Sequence, residues 1–162
     1  MLILLFSYHF DNNNHQLKSS FAVEDSKTSI AISELIKQGD NNLEIIRDFH
    51  KAIEFYNTVL EIDPENVDVL SKKGKALTRL YNFSEAQMSI DKSFEISPLT
   101  GIVFNSKGFL LYNQGNYSEA IKYFDKAIEI NPNNSIVLTN IAYGLALYST
   151  NLSQAIKLVE NH

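Results

Sequence analysis

VDVLSKKGKALTRLYNFSEAQMSIDKSFEISPLT, residues 67–100, runs directly into GIVFNSKGFLLYNQGNYSEAIKYFDKAIEINPNN, residues 101–134. Set one above the other, they match at Val69/Val103, Lys73/Lys107, Gly74/Gly108, Leu77/Leu111, Asn82/Asn116, Ser84/Ser118, Glu85/Glu119, Ala86/Ala120, Asp91/Asp125, Lys92/Lys126, Glu95/Glu129, Ile96/Ile130 and Pro98/Pro132. The three prolines of the chain, Pro64, Pro98 and Pro132, keep the same 34-residue spacing. A fixed period of this length marks a solenoid of identical supersecondary units. The preceding window, 33–66, places Phe49, Ala52, Tyr56, Glu61, Ile62, Pro64 and Asn66 in matching slots. The following stretch gives Leu138, Ala142 and Leu145, then Leu152, Ala155 and Ile156 displaced by one.

Each unit reads as two helices. Apolar and small residues recur at helical spacing in the first half (Leu70, Gly74, Leu77; Phe104, Gly108, Leu111) and in the second (Ala86, Ile90, Phe94; Ala120, Phe124, Ala127, Ile128). Tyr81–Ser84 and Gly115–Ser118 supply the turns between halves. Ser84 with Gln87 has the spacing of a capping box, and Asn66, Thr100 and Asn134 are placed to cap the next helix. The prolines fall where one helix must stop and the next has not begun. Gly74 and Gly108 permit close approach of the second helix, with Ala86, Ala120 and Ala127 as the small residues opposite. One such pair cannot bury its apolar faces alone, so pairs stack and the array curves.

These residues resemble the tetratricopeptide repeat. In 101–134 the signature reads Phe104, Gly108, Leu111, Tyr117, Ala120, Phe124, Ala127, Pro132, and in 67–100 it reads Leu70, Gly74, Leu77, Phe83, Ala86, Ile90, Ser93, Pro98. The resemblance implies an all-α fold, a right-handed superhelical solenoid of antiparallel helix pairs with about three and a half repeats. The units are 30–66, 67–100, 101–134 and a partial 135–162, after a tail at 1–29. The first unit departs from the pattern, since Gly39 to Ala52 is one residue too long, and the last has a similar surplus before Ala155; irregularity is expected at both ends.

In such an array the first helix of each pair lines the concave side. That makes Lys72, Lys75, Arg79, Asn105, Phe109, Tyr112, Asn113, Thr139, Asn140 and Tyr143 the expected peptide-binding residues, with Asp68, Ser71, Thr78, Ile102, Ser106 and Ile136 in the other inward-pointing slots. An asparagine amide can bond both N–H and C=O of an extended backbone. Tyrosine and phenylalanine offer stiff contact area. The basic trio suits a carboxylate, although a row of lysines is equally the solvated face of a helix. The N-terminal tail is an alternative cover for Phe109 and Tyr112. Members of the family that bind chaperone tails hold a terminal carboxylate with two lysines, two asparagines and an arginine. That set does not occur here, which disfavours that activity.

At 162 residues, 44% of them apolar, the chain forms one array. It contains no cysteine, which excludes disulfides and thiolate metal sites. A net charge of −5 argues against nonspecific nucleic-acid binding. No apolar run approaches the roughly 20 residues of a membrane span, so no stable insertion is expected. His9, His15, His50 and His162 are scattered, and no phosphate-cradling glycine motif occurs. No metal, cofactor or catalytic residue is expected. Leu2–Phe6 is too short, and too poor in basic residues before it, for a secretory signal, so 1–29 reads as an ordinary poorly ordered terminus rather than a targeting segment. A cytoplasmic location is expected.

The function expected is a non-catalytic protein-interaction scaffold that takes a peptide segment in its groove. Residues 135–149 are apolar nearly all round, which suggests a buried helix. The second reading is therefore self-association through 135–162, or a fragment of a longer array. A regulatory module cut from an enzyme is a third.

Overall fold

The chain breaks into short helices because a polar capping residue recurs every half-period and a proline every full one. In the computed structural model the described residues are 27–133, together with Val137, Leu138, Asn140, Ile141, Ala146 and Ser149. Thus most of the tail 1–29 and most of 135–162 lie outside the described residues. The first helix, α1, covers 27–41. A single π-helical turn follows at Asn42–Ile46. Then come α2 (Phe49–Ile62), α3 (Val67–Arg79), α4 (Phe83–Ile96), α5 (Gly101–Asn113) and α6 (Tyr117–Ile130). The described residues contain no strand. The result is an all-α solenoid in which α1–α2, α3–α4 and α5–α6 are antiparallel pairs.

Only some of the expected caps form. Asn66 Oδ1 accepts from the Val69 N–H at 3.1 Å and starts α3. The capping box expected at Ser84 does not form. Asn82, two residues earlier, is the N-cap of α4: it accepts from the Glu85 N–H and donates Nδ2 to Glu85 Oε1 at 2.9 Å. Its side chain already satisfies the first turn, and Gln87 instead bonds Asp91. Thr100 also departs from expectation, donating to the Ser97 carbonyl at 3.3 Å rather than capping α5 through its side chain. Asn134 lies outside the described residues.

The glycines sit where the helices of a pair meet. A Cβ at Gly74 would stand 2.5 Å from Ile90 Cγ1, and one at Gly108 would stand 2.6 Å from the Phe124 ring. Gly39 has the same relation to Tyr56, at 2.5 Å. Tyr56, Ile90 and Phe124 are fully buried, and each contributes about 1.5–3 kcal/mol by leaving water. Three clusters, centred on these side chains, form one continuous core along the array. Val137 is buried and joins the cluster of Phe104 and Phe124, as does the half-buried Ile141, whereas Leu138 is exposed. The rest of the apolar helix expected at 135–149 lies outside the described residues.

The extra residue of the first unit is absorbed by the π turn. Its i→i+5 pattern accommodates one residue more than an α-helix would, and Arg47 then ends it in a left-handed conformation, φ 61°. Asp48 restarts the chain by accepting from the Lys51 N–H at 3.1 Å.

The turns after α3 and α5 are the same motif with different residues. Asn82 N–H bonds the Leu77 carbonyl and Tyr81 N–H bonds Thr78; Asn116 and Gly115 repeat this with Leu111 and Tyr112. The pivot is left-handed in both, Gly115 at φ 81° and Tyr81 at φ 60°. A Cβ in that region costs about 1–2 kcal/mol. Tyr81 is 74% exposed, with only an edge contact to Phe83 to lose. Tyr81→Gly is therefore expected to raise stability by about 1 kcal/mol despite the greater freedom of glycine in the unfolded chain. A rise in thermal midpoint measures it; a fall would contradict it.

Candidate functional site

α1, α3 and α5 meet on one side of the array: α3 packs against α5, and Lys72 of α3 reaches Asp40 of α1. A cavity of about 380 Å³ opens there, lined by Glu44 of the π turn, Lys72 and Lys75 of α3, Thr100, Gly101, Ile102, Asn105 and Ser106 at the start of α5, and Ile130 and Asn131 at the end of α6. It lies toward the lower end of the roughly 300–1,000 Å³ typical of ligand pockets.

Of the residues expected in the groove, Lys72, Lys75 and Asn105 come together on this cavity. Asn140 reaches them indirectly, donating Nδ2 to Asn105 Oδ1 at 3.1 Å. The two amides therefore hold each other rather than standing separately in the groove. Arg79 is exposed, with its guanidinium 4.6 Å from the Phe109 ring centroid, and Lys75 Nζ lies 5.8 Å from the same ring. Phe109 is buried beneath these cations and belongs to the core cluster of Phe124. Tyr112 is half-buried and packs edge-on against Tyr117 at 5.6 Å. Asn113 donates to the Phe109 carbonyl at 2.7 Å. Thr139, Tyr143 and Ile136 lie outside the described residues.

Two slots expected to point into the groove do not face it. Ser71 and Thr78 are fully buried, and Thr78 Oγ1 donates to the Gly74 carbonyl at 2.8 Å. The cause is packing on both flanks of α3, by α2 on one side and α5 on the other, which leaves only a narrow strip open.

The electrostatics differ from the open positive patch that a row of lysines suggests. Lys72 Nζ bonds Asp40 Oδ2 at 2.8 Å and Asp68 Oδ2 at 2.7 Å. Lys75 Nζ bonds Glu44 Oε1 at 2.6 Å. Burial disfavours the Lys72 ammonium, but its hydrogen bonds to the two aspartates outweigh that and raise its pKa above the ordinary lysine value. Asp40 is held from a second side by the Tyr56 hydroxyl, which donates to Oδ1 at 2.9 Å. Burial first, and then the charge and hydrogen bond of Asp40, push the Tyr56 pKa well above its usual value. Glu44 is looser: half its side chain is exposed, and such a pair contributes about 0–1 kcal/mol.

Sequence reasoning missed Asp40, Glu44, Ile130 and Asn131. Its signal for the acidic pair was the surplus residue between Gly39 and Ala52, since the π turn that absorbs it also carries Glu44 to Lys75. Among the described residues no His, Cys, Asp or Glu cluster is placed to hold a metal ion, and no helix is long and apolar enough to cross a membrane.

The family model described as tetratricopeptide repeat matches residues 102–134, and a second model of the same description matches 41–66. Both stretches are tetratricopeptide repeats. No curated protein sequence matches it. Among solved structures, the first tetratricopeptide domain of Spaghetti (RPAP3), bound to the HSP90 peptide SRMEEVD, superposes with a TM-score of 0.61 at 18% identity, over 73% of this chain and 95% of that one. The TPR2B domain of yeast Sti1 in complex with an Hsp70 peptide gives 0.58 at 20% identity, over 72% and 98%. A tetratricopeptide repeat protein from Parabacteroides merdae gives 0.62 at 25% identity, over 80% of this chain and 50% of that one. These likenesses fix the fold as a tetratricopeptide array.

Proposed function

We propose that this protein is a non-catalytic interaction scaffold that binds an extended peptide along α3 and α5. The observation that carries this reading is the convergence of Lys72, Lys75, Asn105 and Ser106, from two successive repeats, on one 380 Å³ cavity. Two similar domains, those of Spaghetti (RPAP3) and Sti1, are seen in complex with peptides, which supports the class of ligand.

The test is selection of a random dodecapeptide display library on the purified protein. A recurring sequence family is expected, with a dissociation constant in the micromolar range for the synthetic peptide. Ile102→Arg, at the half-buried cavity wall, is expected to weaken it at least about tenfold, equivalent to about 1.4 kcal/mol, with an unchanged helical circular dichroism spectrum. Equal binding by Ile102→Arg, or no enriched sequence, would overturn the reading.

A further inference from the structure

We infer that the groove selects peptides with an uncharged aliphatic anchor and rejects acidic ones, because its own carboxylates already occupy both of its lysines. This inference rests on the groove being a peptide site, and adds the chemistry of the ligand.

Lys72 and Lys75 are the ammonium groups lining the cavity, and both are taken: Lys72 by Asp40 and Asp68, Lys75 by Glu44. Three carboxylates thus face two ammonium groups. A carboxylate entering the cavity would have to displace Asp40 or Glu44 and would then sit beside the displaced charge, gaining no net attraction. Asp40 resists displacement because the buried Tyr56 hydroxyl also holds it. A cationic anchor would find all three carboxylates already bonded to Lys72 and Lys75, and would have to break one of those pairs to gain a partner. An aliphatic group meets neither cost. It can lie against Ile102 and Ile130, with Gly101 adding no side chain to the wall. Ile130 is 48% exposed, so it has apolar surface left to cover. Asn131, exposed at the edge of the cavity, leaves its amide for the peptide backbone.

The experiment uses the full chain and two probes, the best aliphatic peptide from the library and a fluorescein-labelled SRMEEVD peptide, read by fluorescence polarisation. Wild type is expected to bind SRMEEVD at least about 100-fold more weakly than the aliphatic peptide. Glu44→Gln together with Asp40→Asn keeps the side-chain shapes and leaves Tyr56 an acceptor; it frees Lys75 and leaves Lys72 with Asp68 as its one remaining carboxylate. This variant is expected to bind SRMEEVD at least about tenfold better than wild type and the aliphatic peptide unchanged. Glu44→Gln alone, at an exposed position, is expected to give a smaller gain if the double variant loses helicity. Library enrichment in Asp or Glu anchors, comparable wild-type affinity for both probes, or no gain in either variant would overturn the selectivity while leaving a peptide groove in place. Absence of any enriched peptide would overturn the groove reading and this inference with it.

Discussion

Phe124→Ala is expected to lower the stability of the last described helix pair by about 3–5 kcal/mol, the range for truncating a fully buried phenylalanine. Phe124 lies where α5 and α6 touch, against Gly108, and no solvent reaches it. In an array, each pair contacts only its neighbours, so the loss should appear first as unfolding of α5–α6. Hydrogen exchange resolved by residue is the measurement, with early loss of protection in 101–130 and slower loss in α3–α4. The glycine opposite sharpens the test. Gly108→Ala alone sets a Cβ 2.6 Å from the ring and 3.1 Å from the Ala120 carbonyl. Overpacking of that kind costs about 1–3 kcal/mol, against roughly 1 kcal/mol regained from helix propensity. In a Phe124→Ala background the ring clash is gone, and Gly108→Ala becomes close to neutral. The two substitutions are therefore expected to be strongly non-additive. Additivity within about 0.5 kcal/mol would show that the close approach of Gly108 and Phe124 does not organise this pair.

The architecture was legible because it depends on a few residues whose physical requirements are narrow. Gly74 and Gly108 recur because nothing larger fits against Ile90 and Phe124. Pro64 and Pro98 recur because a helix cannot run through the link between pairs. Asn66 is a cap whose side chain must reach the third N–H of α3. Those requirements leave their mark at fixed spacing, and the family signature reads the same mark.

The groove was legible only in part. Slot position picked out Lys72, Lys75 and Asn105, since a helix face follows from the 3.6-residue turn. It could not show that Asp40 and Glu44, 32 and 31 residues earlier, would close on those lysines. Which cations stay open depends on pairing across repeats, and pairing across repeats depends on the π turn at Asn42–Ile46, whose geometry breaks the period. Ser71 and Phe109, both in groove slots, are buried instead. Neighbouring repeats cover part of every inner face, and the amount covered is a tertiary quantity that no single repeat records.

The Tyr56–Asp40–Lys72 chain leads to the second large effect, an alkaline loss of stability. Tyr56 is fully buried, and its hydroxyl donates to a carboxylate that would repel a phenolate. Its pKa in the fold therefore lies far above the ordinary tyrosine value of 10.0. Lys72, hydrogen-bonded to Asp40 and Asp68, likewise releases its proton later than the 10.5 of a free lysine. In both cases the folded protein keeps a proton that the unfolded chain gives up. The contribution is complete below pH 10 and declines as the pH rises, because only the unfolded state gains by deprotonation there. Each such group removes about 1.4 kcal/mol per pH unit across its window, Tyr56 from near 10 and Lys72 from slightly higher. Urea midpoints taken between pH 9 and pH 11.5 are expected to fall steeply above pH 10. Tyr56→Phe has no phenol to ionise, so it should be less stable at pH 8 through loss of the bond to Asp40, yet show a slope shallower by about one proton above pH 10. Identical alkaline slopes in the two proteins would mean that the buried phenol is not what ties α2 to the groove side of α1.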